Sequence, residues 1–416
     1  MSNPFSFEDL RRFPDLENDS LVAVDATDRL VLAEAAETIE ATAGPEAGQS
    51  GGQACGVGET GAVVVVGDHY GAITLGAIAL HGARNVRVHQ DPVTGEQALG
   101  HNAARAGLTE GFSRLPLSEE LFTGATTVIG QLPKSLDALR EMTQLAAAYG
   151  APDVTMFLGG RVKHMTHAMN DVLSESFTQV RASLAHQKSR VLIASEPRAA
   201  ADAGWQPGTA YPLRAHHLDV DLWVCAHGAA FAGTRIDIGT RFLLGFLDQM
   251  SPSATAAVDL GCGTGVLAAS LARARPHLSV LATDESAAAV SSARATVAAN
   301  GVATRVHVLR DDAMSTLADA SVDLIVCNPP FHQGTSVSSG ASLKLFRAAG
   351  RVLKPGGQLW TVFNSPLAYH GRLTHAVGPT RVVGRNTKFT VTVSTRSTNS
   401  TRTAQDRPRQ SWSARR

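Results

Sequence analysis

The chain has 416 residues, lysine plus arginine balanced at 37 against 37 acids, 44% hydrophobic residues and four scattered cysteines. That length accommodates two domains with separate cores, and the charge balance excludes a global positive field, so any nucleic-acid surface must be local. No apolar run reaches the roughly 18 residues of a membrane span. The N-terminus has no signal pattern, and Cys55, Cys225, Cys262 and Cys327 form no C-x-x-C pair. A reduced, cytosolic protein without membrane contact or structural metal is expected.

In chain order, Leu21–Asp28 mixes a short strand into a helical pattern that runs to about residue 40. Residues 42–61 are glycine-rich and too polar to pack, which predicts a flexible surface loop with Cys55 as an incidental thiol. Ala62–Val66 is an apolar, largely β-branched run, the mark of a strand covered on both faces. It enters Gly67-Asp68-His69-Tyr70-Gly71 and a helix. Val86–Val88 gives a second strand ending near Asp91. Thr126–Gly130 gives a third, which runs into Gln131-Leu132-Pro133-Lys134 and a helix over 135–148. A strand at Val154–Leu158 and a helix from about Asp171 complete this half. Arg161, Lys163, His164, Arg181, Lys188 and Arg190 cluster in sequence, either as a solvated basic face or as a contact for RNA phosphates. His164 and His167 have i, i+3 spacing, but no Cys, Asp or Glu completes a metal set. Residues 197–212, with three prolines, read as a linker.

The second half begins near Leu213. Val220–Cys225 reads as a strand, and Arg235–Leu244 as a turn opening a helix. Asp237 and Thr240 there suit helix capping, or a place beside a bound ligand. Ala257–Leu260, an apolar run carrying one acid, then feeds Gly261-Cys262-Gly263-Thr264-Gly265 and an amphipathic segment: strand, tight turn, helix. A dinucleotide site wants G-x-G-x-x-G with pyrophosphate on the helix N-terminus. Here the third glycine comes one residue early, with Val266 in its place. Asp259, two residues before the first glycine, would repel a pyrophosphate but could orient an ammonium. Asp259, Gly261, Gly263 and Gly265 therefore point to S-adenosylmethionine rather than NAD. Asp284, at the end of the next strand, can accept from both ribose hydroxyls. Asp312, after the strand Val306–Leu309, could accept from the adenine amine.

Asn328-Pro329-Pro330-Phe331 ends a buried strand, Val322–Cys327, at the sheet edge where α/β ligands bind. It suits a planar exocyclic amine. One amine hydrogen meets the Asn328 side-chain oxygen and one the Pro329 carbonyl, while Phe331 stacks on the base. No strong base is required. Orientation of an in-line displacement and fixed carbonyl dipoles carry the reaction. Cys262 and Cys327 could in principle serve as nucleophiles, but their positions suit small apolar fillers. A strand at Gln358–Val362 and a final one near Phe389–Val393 close the fold. Residues 395–416, rich in arginine, serine and threonine, are expected to be disordered.

The halves share an order of elements. From Gly67 to Asp91 is 24 residues, and from Gly261 to Asp284 is 23; from Gly67 to Pro133 is 66, and from Gly261 to Pro329 is 68. This suggests an internal duplication. The first copy lacks the clustered glycines, and His69 and Tyr70 place bulk where a ligand would lie.

These residues resemble the RsmC/RlmG family of ribosomal RNA guanine-N2 methyltransferases over nearly the whole chain. VDLGCGTGVLA, TDESAAAVSSAR, CNPPFHQG and RIDIGTRFLL resemble the family's catalytic domain. GDHYGA, LPKSLDALREM and GGRVKH with ASLAHQKSRVLI resemble its degenerate domain, and these with NPPFHQ lean toward the large-subunit branch, RlmG. The resemblance implies an α/β chain of two tandem Rossmann-like class I methyltransferase domains, the N-terminal one degenerate. Residues 1–196 would help hold RNA, 213–394 would carry catalysis, and 395–416 would be a basic tail. It implies methyl transfer from S-adenosylmethionine to guanine N2 in ribosomal RNA, by a cytoplasmic monomer without metal. Carried over by match, Asp259, Gly261, Gly263, Gly265, Asp284 and Asp312 bind cofactor, and Asn328, Pro329, Pro330 and Phe331 hold the amine. The 42–61 insertion and the arginine tail depart from the family, and Asp312 stands where an asparagine is expected. One rival is a protein glutamine-N5 methyltransferase, which would carry Tyr at 331 and a small helical N-domain. Others are an amino-methylating DNA enzyme and an RNA scaffold or assembly factor that binds cofactor without turnover.

Overall fold

The computed structural model describes residues 5–15, 17, 21–43, 61–198, 211–330 and 336–397. The glycine-rich stretch with Cys55, most of the linker, Phe331 and the tail from residue 398 lie outside the described residues.

The first half opens with α1 (Ala26–Ala43). The strand expected around Leu21–Val24 does not form. Ala23 and Val24 instead pack their side chains on the core beside α1, whose first turn is capped by Asp25 accepting from Thr27 N–H at 2.7 Å. There follow β1 (Ala62–Val66), α2 (Ala72–His81), β2 (Val86–His89), α3 (Val93–Ala106), β3 (Phe112–Arg114), α4 (Glu119–Phe122), β4 (Ala125–Gln131) and α5 (Leu136–Tyr149). β5 (Thr155–Arg161), α6 (His167–Ser176), β6 (Phe177–Ala182) and β7 (Ser189–Pro197) complete it. β5 runs through Gly159-Gly160 to Arg161, and α6 starts at His167, earlier than expected, because extended Thr166 at its N-cap releases the chain into the helix.

The second half begins with a separate hairpin, β8 (Leu213–His217) and β9 (Leu222–Ala226), followed by α7 (Ile238–Leu244). Then come β10 (Ala256–Leu260), α8 (Val266–Ala274), β11 (Ser279–Asp284), α9 (Ala287–Ala299), β12 (Val306–Arg310) and β13 (Val322–Cys327). α10 (Ser336–Val352), β14 (Leu353–Asn364), α11 (His370–Ala376), β15 (Thr380–Arg385) and β16 (Phe389–Thr395) follow. The hairpin docks on α9, where Thr296 and Ser292 hydroxyls accept from Cys225 and His227 N–H at 3.0 and 2.9 Å.

Each half is a seven-stranded sheet, ordered β3-β2-β1-β4-β5-β7-β6 and β12-β11-β10-β13-β14-β16-β15. The two orders are the same, which is the duplication in three dimensions. Five parallel strands are followed by an antiparallel pair in both. All five side chains of β1 are buried, and four of five in β10. Apolar clusters cover both faces of each sheet, as central parallel strands require.

Strand register refines the correspondence. Val66 lies opposite His89 and Leu260 opposite Thr283, so the counterpart of Asp284 is Gln90, and Asp91 matches Glu285. Val66 also lies opposite Gly130 and Leu260 opposite Cys327, so Gln131 matches Asn328. The halves meet through these same loops. Val93 N–H donates to Glu285 O at 2.9 Å, Ala287 N–H donates to Asp91 O at 2.8 Å, and Pro92 pairs with Ser286 between them. The two bonds join matched residues in swapped roles, so the contact has approximate two-fold symmetry.

Candidate active site

The carboxyl ends of β10, β11, β12 and β13 open on a cleft of about 710 Å³. Gly261, Gly263, Asp284, Asp312, Asn328, Pro329 and Pro330 all line it. Asp259 and Gly265 do not line it.

The turn is built as its glycines require. Gly261, Gly263 and Gly265 have φ of +71°, +52° and +78°, a region that costs side-chain-bearing residues free energy. A Cβ on Gly261 or Gly263 would meet nothing within 4 Å, so the main chain there is bare. Gly265 has a different task. A Cβ on it would stand 2.9 Å from Ala293 Cβ, so this glycine lets α8 pack against α9. Asp259 is 1% exposed. Its Oδ2 accepts from Ala268 N–H in the first turn of α8 at 2.9 Å, while Oδ1 is buried with no partner. Burial pushes its carboxyl up to about 7.

Asp284 braces the rim of the turn. Its oxygens accept from Gly263 N–H at 2.9 Å and Ser286 N–H at 3.0 Å. Burial raises its carboxyl, and burial followed by the charges of Asp312 and Asp284 pushes neighbouring Glu285 up to about 7. Asp312 pairs with Lys344 of α10 across the cleft.

Asn328 is held more tightly than its motif suggests. Its Nδ2 donates to Asp237 Oδ2 and to Thr240 Oγ1, each at 2.9 Å. A carboxylate only accepts, which fixes the orientation of the amide. Asn328 Oδ1 is left buried without a partner, at the edge of the cleft. Asp237 Oδ2 also accepts from Gly239 and Thr240 N–H at 2.8 and 3.1 Å, so one carboxylate caps α7 and locks the amide. Phe331 lies outside the described residues. Phe231, on the loop between β9 and α7, lines the cleft and is 69% exposed. Cys262 and Cys327 are buried and burial raises both thiols, which opposes thiolate chemistry.

The bare turn, a strand-end acid and an orphaned amide oxygen on one sheet edge fit a nucleoside cofactor beside an amine-bearing substrate. The Methyltransferase small domain model matches residues 221–393, and the RLMG N-terminal domain model matches residues 1–199. Ribosomal RNA large subunit methyltransferase G of Streptomyces coelicolor is 35% identical over 94% of this chain and 98% of its own length. The protein of that name from Pseudomonas aeruginosa is 34% identical, with 94% and 98% covered. The chain belongs to the ribosomal RNA large subunit methyltransferase G family. Among solved structures, the T. thermophilus 16S rRNA N2 methyltransferase RsmC, in complex with AdoMet and guanosine, superposes with a TM-score of 0.63 at 20% identity, over 82% of this chain and 90% of that one. That likeness is one of fold.

In this methyltransferase G family member the first half keeps the shape of the turn and loses its openness. Gly67, His69 and Gly71 have φ of +66°, +55° and +99°, matching the three glycines of the second half one for one. His69 thus sits in a left-handed conformation, uncommon for residues with a side chain but more open to histidine than to most. Gln131 Nε2 donates to Asp28 Oδ1 at 2.5 Å, as Asn328 donates to Asp237. Gln131 Oε1 then faces His69 Nε2 at 3.2 Å. The acceptor left open in the second half is consumed in the first. The cavity here shrinks to about 200 Å³, walled by Leu117, Leu132, Pro133 and Met142. A second seven-stranded sheet stands where a protein glutamine methyltransferase would carry a small helical domain. Among the described residues no group of three or more His, Cys, Asp or Glu could hold a metal, and no helix is long and apolar enough to cross a membrane.

Proposed function

We propose that this chain transfers a methyl group from S-adenosylmethionine to the exocyclic N2 of a guanine in large-subunit ribosomal RNA. One observation carries the reading: Asn328 Oδ1 is buried, unpartnered and fixed in direction by Asp237 and Thr240 at the edge of the cleft. A buried acceptor without a donor costs about 1–3 kcal/mol, and the substrate amine removes that cost.

When bound, S-adenosylmethionine supplies an electrophilic methyl group on a sulfonium sulfur. Gly261 and Gly263 would give it bare main chain, Asp284 would accept from the ribose hydroxyls, and Asp312 would accept from the adenine amine. Asp259, from below the turn, favours the cationic amino-acid end. Asn328 Oδ1 and the Pro329 carbonyl each accept one amine hydrogen, which turns the nitrogen lone pair into the cleft. As the nitrogen formed its bond to the methyl carbon, the carbon–sulfur bond would break to leave a neutral thioether, and these two dipoles would stabilise the positive charge the nitrogen gains. The nitrogen would then release its proton to water. Pro330, which lines the cleft, would bound the base on one face.

The first half, up to about residue 196, is read as an RNA-holding domain. Arg161, Lys163, His164, Arg181 and Lys188 are exposed around the end of β5 and the β6–β7 hairpin, and Leu184 at the hairpin tip is 89% exposed. The chain works as a cytoplasmic monomer on this reading.

The test is to incubate the protein with methyl-labelled S-adenosylmethionine and protein-free large- or small-subunit rRNA, then identify the labelled nucleoside. Labelled N2-methylguanosine in large-subunit rRNA, absent with Asn328→Ala, is expected. Label confined to small-subunit rRNA would overturn the choice of subunit. Label in added protein, or none in RNA while cofactor still binds, would overturn the substrate class.

A further inference from the structure

α9 starts two residues after Glu285, which lines the cleft, and its first N–H groups need acceptors. Ser286 Oγ accepts one of them, from Ala289 at 3.1 Å. The first half of the chain satisfies the next ones. Asp91 O accepts from Ala287 N–H at 2.8 Å, and Asp91 Oδ1 accepts from Ala288 N–H and from Ser286 Oγ, each at 2.9 Å. Ser286 N–H in turn donates to Asp284 Oδ1 at 3.0 Å. A continuous relay therefore runs from Asp91 through Ser286 to the acid that lines the cofactor side of the cleft.

The neighbouring loop is tied to the same point. Arg310 ends β12 directly before Asp311 and Asp312. Its guanidinium donates to Glu96 at 2.6 Å, to Gln90 O at 2.7 Å, to Asp91 O at 3.0 Å and to Glu285 O at 3.3 Å. Thr94 of α3 completes the wall on that side. The symmetry of the seam is broken here. Glu285 occupies the position matched to Asp91, but the residue facing it is Pro92, which has neither hydroxyl nor N–H. The side-chain cap is therefore made in one direction only, by Asp91 on the start of α9.

We propose that Asp91 is a positioning residue for the cofactor site. It holds the β11–α9 loop in the one conformation in which Asp284 can receive the ribose, so the degenerate half is a working part of that site. Without Asp91 the loop samples other conformations, and observed affinity falls by the fraction that stays competent. This rests on the cleft taking S-adenosylmethionine.

The full chain is compared with Asp91→Ala, Asp91→Asn and Arg310→Met by calorimetric titration with S-adenosylmethionine, by KM and kcat on rRNA, and by melting temperature. Asp91→Ala should weaken cofactor binding and raise its KM about tenfold, with kcat at saturation within about twofold. Asp91→Asn keeps the Oδ1 acceptor and should restore affinity to within about twofold of the unchanged chain. Arg310→Met should weaken binding in the same direction and decides the matter if Asp91→Ala fails to fold. Wild-type cofactor affinity in a folded Asp91→Ala protein, with only its melting temperature lowered, overturns the proposal, as does an Asp91→Asn protein no better than Asp91→Ala. Absence of cofactor binding by the unchanged chain overturns the reading of the cleft itself, and this inference with it.

Discussion

Asp237 and Asn328 are 91 residues apart in the chain and 2.9 Å apart in the fold, and the carboxylate determines which way the amide points. Asp237→Ala removes that constraint and the α7 cap together. Loss of the cap costs about 1 kcal/mol of stability, whereas loss of amide orientation should lower kcat by about 100-fold with cofactor affinity little changed. Thr240→Val removes the second acceptor and should give a smaller drop. Single-turnover rates at saturating cofactor separate the effects. A kcat that falls no further than stability explains would exclude an orienting role.

Gly265 tests the difference between contacting a ligand and packing a helix. Gly265→Ala puts a methyl 2.9 Å from Ala293 at φ +78°, a cost of about 2 kcal/mol or more. Gly263→Ala meets open space at φ +52° and should cost about 1 kcal/mol while blocking the cleft. Melting curves and cofactor titrations should rank the two in opposite order. The same ranking in both would merge the two roles.

Stability should fall as the medium becomes more alkaline. Burial pushes Asp28, Asp259 and Glu285 up to about 7 and Asp68 to about 6. Each is raised above its unfolded value of about 4. The folded state therefore holds these protons more tightly, and the stability they contribute is complete below pH 4 and lost as pH rises through 6 to 7. Asp259→Asn keeps an acceptor for Ala268 N–H and cannot ionise. Its melting temperature should decline less steeply between pH 5 and 8 than that of the unchanged chain. Parallel slopes would show that Asp259 is not one of the titrating groups.

The exposed basic residues give a salt-dependent prediction. Lys163→Glu with Lys188→Glu should weaken rRNA binding and flatten its dependence on salt by about one unit of slope for each phosphate no longer neutralised. Cofactor affinity should not move. Filter binding across a salt series measures this, and an unchanged slope would assign the patch to solvent.

Much of this was readable in the chain. β1, β10 and β13 declare themselves as apolar runs because central parallel strands are covered on both faces, and the turn from Gly261 to Gly265 declares itself because its backbone needs glycine. Matched spacings exposed the duplication but paired Asp91 with Asp284 and Pro133 with Pro329, whereas strand register pairs Gln90 with Asp284 and Pro133 with Pro330. β8 and β15 were invisible: Leu213–His217 and Thr380–Arg385 lie at edges, largely exposed, with no alternation to mark them. Asp237 could be read as a cap because capping is local. Its hold on Asn328 could not, because it depends on where β13 ends relative to α7. The support from Asp91 was hidden for the same reason, lying across a seam that neither half encodes alone.

The paired bonds about Pro92 and Ser286 describe an interface that two separate copies of one fold could have made with each other, each offering the same loop. Joined in one polypeptide, that association no longer depends on concentration. Covalent connection keeps the partners at a fixed effective concentration however dilute the protein becomes. Docking of the first copy is therefore independent of dilution. With His69 and Gln131 in the wall of its own cavity, that copy stands as a fixed partner for the cleft of the other at every dilution.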